Sequence, residues 1–219
     1  PAQVGALCKE KSMAIVVEHD KRKHEILEKS FELFCRDGYE DVTFQKIADA
    51  CGITRTTLYI YFKNKREIFI WSIKQLTEEL EGLLLEIIGD KSLSSEESLR
   101  KTLSWIIDAC AARRQMFDVL LQYLMQLKKN GVVPADRVRR RVLRVQHLLS
   151  MMIIRGQKAG EFKRMPVKEA NELLYNLIES AIFRIAVLAE EDISSVKTSL
   201  NLAVDGLLAP KPQDGGSQR

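Results

Sequence analysis

The chain has 219 residues, of which 46% are hydrophobic, and a formal net charge of +4. A chain of this size and composition can bury a core of its own, and its charge is too small to indicate nucleic-acid binding by itself. No apolar run reaches the roughly 18 to 20 residues that a membrane span needs, and the first residues lack the pattern of a secretory signal. We therefore expect a cytoplasmic protein without a membrane partner.

Apolar residues recur at helical spacing along almost the whole chain, and no segment shows the strict alternation of a β-strand. The sequence therefore predicts an all-α fold. A first helix is expected over residues 21–36, with Gly38 placed to end it in the left-handed conformation. Thr43 can N-cap a short helix to about residue 50, and Thr54 can N-cap another to about residue 61.

The helices that follow are predicted to be longer. Asn64 and Glu67 have the spacing of a capping box, so a fourth helix is expected over 64–88. Segments of this length suit a helical bundle, and glycine or proline separates them. The expected helices are 95–111, 113–129, 136–158, 167–190 and 193–208. The tail over 210–219 is rich in Pro and Gly and should be disordered.

The stretch from Thr43 to Lys65 has the residue pattern of a helix-turn-helix. Ile47 and Leu58 fall where two short helices must share a small core, and Gly52 can adopt the positive φ that the turn between them requires. The opposite face of the second helix presents hydrogen-bond donors and flat rings suited to base edges and phosphates, namely Arg55, Thr56, Thr57, Tyr59 and Tyr61. An ordinary helical hairpin with a hydrated polar face is the alternative on packing alone.

Residues 53–69, ITRTTLYIYFKNKREIF, resemble the signature of the TetR family of transcriptional regulators, and the similarity extends over about residues 25–70. The resemblance implies that Arg55, Thr56 and Thr57 face the major groove of DNA. It also implies that Tyr59, Tyr61 and Lys65 hold phosphates, and that Thr43 and Gln45 touch the backbone or an adjacent base. With the capping Thr54, these residues form the predicted DNA-binding set.

The resemblance further implies a dimer that forms through the last two long helices. Residues 181–189, AIFRIAVLA, are apolar nearly all the way round, which a helix tolerates only when both of its sides are covered. A buried core within one chain is the alternative explanation. The predicted interface residues are Leu174, Ile178, Ile182, Ile185, Leu200 and Val204.

The middle helices carry methionines and aromatic residues of the kind that line apolar ligand pockets. The predicted pocket residues are Trp105, Phe117, Tyr123, His147, Met152 and Tyr175. These assignments give four segments: a flexible extension over 1–19, a helix-turn-helix DNA-binding domain over 20–66, a helical ligand-binding and dimerisation domain over 67–209, and the tail.

No enzyme signature is evident. The sequence lacks a glycine-rich phosphate loop, a nucleophile elbow and a pair of catalytic carboxylates. The four cysteines form no CxxC pair and have no histidines beside them, so we expect neither a metal nor a cofactor. The predicted function is a repressor that binds a palindromic operator as a homodimer and is released by a small apolar effector. A helical adaptor that binds only proteins is the alternative, against which Arg55, Thr57 and Lys65 argue.

Overall fold

The computed structural model describes the backbone of residues 2–133 and 135–210, and the side chains of residues 17–133 and 138–210. Over this part of the chain it forms nine helices, which confirms the predicted all-α fold. The helices are α1 (Ala2–Asp37), α2 (Phe44–Ala50), α3 (Arg55–Tyr61), α4 (Lys65–Gly89), α5 (Ser95–Ala112), α6 (Arg114–Lys129), α7 (Ala135–Ala159), α8 (Val167–Ala186) and α9 (Ser194–Leu207). The chain divides into two compact units, Pro1–Glu81 and Gly82–Arg219.

Helix α1 is longer than the sequence predicts. It begins at Ala2 rather than near residue 21, and residues 6–37 contain neither proline nor glycine to interrupt it. The helix thus covers most of the segment for which a flexible extension was expected. It ends as predicted at Gly38, whose φ is 82° and whose N–H bonds the carbonyl of Phe34 at 2.9 Å. The tail prediction concerns residues beyond Pro210, outside the described part of the chain.

The first unit packs α1, α2, α3 and the start of α4 around aromatic side chains. The Phe34 and Phe69 rings meet edge to face with centroids 5.0 Å apart, and Tyr39 meets Phe69 at 4.9 Å. The hydroxyl of Ser72, which is buried, donates to the carbonyl of Leu27 at 3.0 Å. These contacts fix the start of α4 against α1 and thereby place the segment between them, which holds α2 and α3.

The second unit has a core to which α5, α7, α8 and α9 all contribute. Its buried side chains are Leu99, Leu103, Ile107, Cys110, Leu149, Met152, Ile153, Phe162, Ala170, Leu174, Ile178, Ala181, Ile185, Val196, Leu200, Val204 and Leu207. Helix α5 begins with a capping box formed by Ser94 and Glu97. Gly156 packs so closely on the Phe162 ring that an added Cβ atom would overlap it.

Helix α8 ends at Ala186, four residues before the predicted end. The N–H of Glu190 bonds the carbonyl of Arg184 at 3.1 Å, and Ala189 has a positive φ of 56°. The Arg184 guanidinium also pairs with the Glu190 carboxylate. The prediction failed here because apolar composition continues past the point where this turn closes the helix.

Candidate DNA interface

Helices α2 and α3 form the predicted helix-turn-helix. Thr43 caps α2 by accepting a hydrogen bond from the N–H of Lys46 at 3.1 Å. Gly52 has a φ of 66° in the turn, as its position requires. Ile47 and Leu58 are fully buried, so the two short helices share the small core that the sequence predicts. The opposite side of α3 is left facing solvent.

The exposed face of α3 carries Arg55, Thr56 and Tyr59. The Arg55 guanidinium donates to the Tyr59 hydroxyl at 3.2 Å and lies 5.7 Å from the Tyr59 ring centroid. That ring in turn packs on Phe44 of α2, with centroids 4.6 Å apart. No described carboxylate pairs with Arg55. Its planar donors are therefore held in place on the surface while remaining available to an acceptor.

Thr54 and Thr57 support the start of α3. The Thr54 hydroxyl oxygen accepts from the N–H of Thr57 at 3.1 Å, and the two hydroxyl oxygens are 2.8 Å apart. This is the N-cap that the sequence predicts. Gln45, on the surface of α2, donates to Asp49 at 2.8 Å. These three side chains lie on the surface of the helix-turn-helix, and each already has an intramolecular hydrogen bond.

Tyr61 lies at the end of α3 and stacks on a residue that sequence reasoning missed. Its ring is 4.6 Å from the ring of His19, with an angle of 23° between their planes. His19 belongs to the part of α1 that was expected to be flexible, so no sequence signal pointed to this contact. Phe62, the next residue after Tyr61, is buried.

The Lys65 side chain is hydrogen-bonded to the backbone of its own unit. Its ammonium group donates to the carbonyls of Tyr39 at 2.8 Å and Glu40 at 3.1 Å, and it lies 4.6 Å from the Tyr39 ring centroid. Partial burial lowers the pKa of Lys65, opposed by the charges of Glu40 and Asp41. Two of the three ammonium protons are therefore already engaged, which leaves one for a phosphate.

The start of α4 differs from a reciprocal capping box in one contact. The Asn64 side-chain oxygen accepts from the N–H of Glu67 at 2.9 Å, as predicted. The Glu67 carboxylate accepts from the N–H of Lys63 at 2.6 Å, one residue before the expected N–H of Asn64. Lys63 and Arg66 remain exposed beside this cap.

The six predicted pocket residues do not share one environment. Tyr123 and Met152 are buried, while Trp105, Phe117 and Tyr175 are half-buried. Burial and the neighbouring Glu179 carboxylate raise the pKa of Tyr175. His147 is exposed, so it lies apart from the buried members of the set. A surface depression of about 540 Å³ in the same unit is lined by other residues, including Ile154, Lys158 and Arg164.

Five of the six predicted dimer residues belong to the core of the single chain. Leu174, Ile178, Ile185, Leu200 and Val204 are each at most 2% exposed, and Ile182 is half-buried. These five cannot contact a second copy without leaving the core, so this part of the prediction is wrong. The same two helices expose other apolar side chains, namely Leu173, Phe183 and Leu202. The apolar character of α8 thus has two separate faces, which the composition alone does not distinguish.

Over the described residues, no helix is both long and apolar enough to cross a membrane. The same residues contain no group of three His, Cys, Asp or Glu side chains arranged to hold a metal ion. Buried cysteines have the character of packing residues: burial raises the pKa of the Cys110 thiol to about 12, so it stays protonated at neutral pH.

Comparison with known proteins identifies the first unit. Residues 26–70 match the family described as bacterial regulatory proteins, tetR family. YfiR, an uncharacterized HTH-type transcriptional regulator of Bacillus subtilis, is 27% identical over 206 residues, 90% of this chain and 97% of that protein.

Two solved structures share the fold. The TetR transcription regulator from Haloarcula marismortui has a TM-score of 0.77 at 19% identity and covers 87% of this chain and 100% of its own. FadR from Bacillus subtilis, solved in complex with stearoyl-CoA, has a TM-score of 0.67 at 22% identity and covers 84% of this chain and 98% of its own.

A helix-turn-helix followed by an all-helical unit is the arrangement that this chain shares with the two solved regulators. The matched segment contains all of α2 and α3, and the fold agrees along most of the chain. Residues 26–70 therefore form a DNA-binding domain of the TetR family of bacterial regulatory proteins. The relatives named above are regulators rather than enzymes, in agreement with the expectation that this chain is not an enzyme.

Proposed function

We propose that the protein is a repressor that binds a palindromic operator as a homodimer in the cytoplasm and releases it when a small apolar effector binds. The observation that carries this proposal is the exposed face of α3, where Arg55 is held by Tyr59 and pairs with no carboxylate among the described residues. An arginine with a free planar edge matches the O6 and N7 acceptors of guanine in the major groove.

The other predicted DNA contacts divide by what their side chains already do. Thr56 and Tyr59 are exposed and can reach bases or phosphates directly. Thr43, Thr54 and Thr57 hold the helix starts, so they act mainly by placing backbone N–H groups towards phosphates. Gln45, Tyr61 and Lys65 complete the set. Lys65 can offer a phosphate the one ammonium proton that is not already hydrogen-bonded. We assign DNA binding to residues 20–66 and effector binding and dimerisation to residues 67–209.

The proposed dimer uses the outward faces of α8 and α9 in place of the buried residues predicted from the sequence. Leu173 and Ser180 lie about two turns apart on the outward side of α8, Phe183 borders the same face, and the exposed Val187 follows the end of the helix. Leu202 is 65% exposed on α9, on a face where its neighbours are small. Exposed apolar side chains on two neighbouring helices suit packing against a second copy across a two-fold axis.

We infer an effector with a long apolar part. FadR, which shares the fold, was solved with stearoyl-CoA, and the second unit of this chain has a large core of Leu, Ile, Met and Phe side chains. Trp105, Phe117, Tyr123, Met152 and Tyr175 remain the proposed lining. Release of DNA requires that the effector binds more tightly to a conformation that does not fit the operator.

The effector proposal is tested by titrating long-chain acyl-CoA, free fatty acid and coenzyme A alone into the protein–DNA complex. A coupling free energy of about 1 to 3 kcal/mol would weaken DNA binding roughly 5- to 150-fold. We expect this loss with the acylated compound and not with coenzyme A alone. Binding of an acylated compound without any change in DNA affinity would contradict the regulatory role.

The DNA proposal is tested by recovering bound sequences from a random-duplex selection and titrating the selected duplex against wild type and Arg55→Ala. Arg139→Ala is a matched control, because Arg139 is an exposed arginine without a described partner on α7. Arg55→Ala should weaken the selected duplex by about 1 to 3 kcal/mol, and Arg139→Ala should not. Failure of the wild-type chain to select any sequence would overturn the proposal.

A further inference from the structure

Two lysines lie against one exposed tryptophan in the first unit. The Lys23 ammonium, from α1, is 4.4 Å from the Trp71 ring centroid, and the Lys74 ammonium, one turn further along α4, is also at 4.4 Å. Lys23 additionally lies 5.6 Å from the Phe62 ring centroid. Trp71 is 36% exposed. We call Lys23, Arg66, Trp71 and Lys74 the α1–α4 edge.

The charges of this edge are only partly compensated. Lys74 pairs with Glu78 at 3.6 Å, but no described carboxylate pairs with Lys23 or Arg66. The two ammonium groups therefore share a single ring, which attracts each of them while they repel each other. An anion beside the ring would relieve this repulsion. A depression of about 230 Å³ lined by Asn64, Arg66, Glu67, Ile70 and Trp71 lies at the same place.

The edge is continuous with the proposed DNA-reading surface. Tyr61, at the end of α3, stacks on His19, and Lys23 follows His19 by one turn on the same side of α1. Lys23 then contacts Trp71, which contacts Lys74. Two groups of contacting side chains, Tyr61 with His19 and Lys23 with Trp71 and Lys74, thus lie one helical turn apart along α1. Duplex DNA bound at the recognition helix would therefore be the anionic partner nearest to these side chains.

We propose that the α1–α4 edge binds the phosphate backbone of duplex DNA flanking the bases that α3 reads. The inference rests on the proposed DNA-binding function and adds a second contact surface to it. Lys23, Lys74 and Arg66 supply positive charge to phosphates, and the exposed Trp71 ring holds both lysines in position. Contacts of this kind carry no sequence preference, so they lengthen the protected segment without changing the bases that are read.

The test compares the selected duplex cut at its last specified base pair with the same duplex extended at each end by about half a helical turn. Dissociation constants are measured over a range of NaCl concentrations for wild type and for the Lys23→Gln/Lys74→Gln double variant. The control is Lys91→Gln/Lys128→Gln, which removes the same charge from two exposed lysines outside the first unit. Thermal unfolding verifies that each variant is folded.

On the extended duplex, the double variant should lower the slope of log K against log[NaCl] by about two, because each lysine would release counterions from one phosphate. On the short duplex it should match wild type, and the control should match wild type on both. An unchanged slope for the double variant on the extended duplex would overturn the inference, and so would an equal loss of slope on both duplexes. In either case, binding by the wild-type chain would leave the proposed function intact. Absence of wild-type binding to either duplex would overturn the proposed function itself.

Discussion

The Arg55 guanidinium and the Tyr59 hydroxyl lie 3.2 Å apart, one turn from each other on the exposed face of α3. Because Tyr59 also packs on Phe44, the arginine is directed by a side chain that is itself fixed. Because Arg55 is already ordered before DNA binds, less side-chain entropy is lost on binding.

This relationship predicts the effect of Tyr59→Phe. The phenylalanine ring keeps the contact with Phe44 but loses the hydroxyl that accepts from Arg55. Specific DNA affinity should fall by about 0.5 to 1.5 kcal/mol, the usual contribution of one hydrogen bond. In the Arg55→Ala background, Tyr59→Phe should lose less affinity than in wild type, because the part of its effect that acts through Arg55 is already absent. Additive losses in the double variant, measured by anisotropy titration, would indicate that the two side chains act independently.

Lys65→Met should reduce stability as well as DNA binding. The substitution removes the ammonium that donates to the carbonyls of Tyr39 and Glu40 and keeps much of the apolar stem. We expect the free energy of unfolding in urea to fall on the order of 1 to 3 kcal/mol, the cost of lost hydrogen bonds to a charged group. Lys63→Met is the control, since Lys63 is exposed. Equal stability of the two variants would show that Lys65 has no structural role.

The dimer proposal predicts opposite results for two neighbouring substitutions on α9. Leu202→Glu, at an exposed position, should give a folded monomer by light scattering, and Phe183→Glu on α8 should do the same. Leu200→Asp should instead unfold the chain, because Leu200 is buried in the core. Met125→Glu serves as the control at an equally exposed position on α6. A dimer that survives Leu202→Glu and Phe183→Glu together would place the interface elsewhere.

Gly156→Ala should destabilise the second unit. A Cβ atom at this position would overlap the Phe162 ring, which is buried and cannot move freely. Overpacking of a well-packed core costs about 1 to 3 kcal/mol, and calorimetry should show the corresponding drop in melting temperature. Gly82→Ala is the control, because no atom lies near the position of its added Cβ. If the two variants have the same melting temperature, the close approach at Gly156 does not contribute to stability.

The features predicted well from the sequence depend on neighbours within a few residues. The caps at Thr43 and Thr54 and the positive φ of Gly38 and Gly52 follow from residue type and spacing, so α2 and α3 were located correctly. The contacts that were missed join distant segments. Lys65 reaches back 26 residues to Tyr39.

The dimer residues illustrate a different limit. Helix α8 carries apolar residues both on its inward face, which contains Leu174 and Ile178, and on its exposed side, which contains Leu173 and Phe183. Periodicity identifies two apolar faces but does not state which one the same chain covers. That choice depends on the packing of α5, α7 and α9, which only the folded structure supplies.

The most direct test of the central claim is the base preference of Arg55. Affinities of wild type and Arg55→Ala are measured for a set of duplexes in which each base pair of the selected operator is replaced in turn. The account predicts that the variant loses discrimination at one base pair in each half-site, with half-site centres separated by about 34 to 36 Å or a multiple of that distance. Equal weakening at all positions, with every base preference retained, would contradict it.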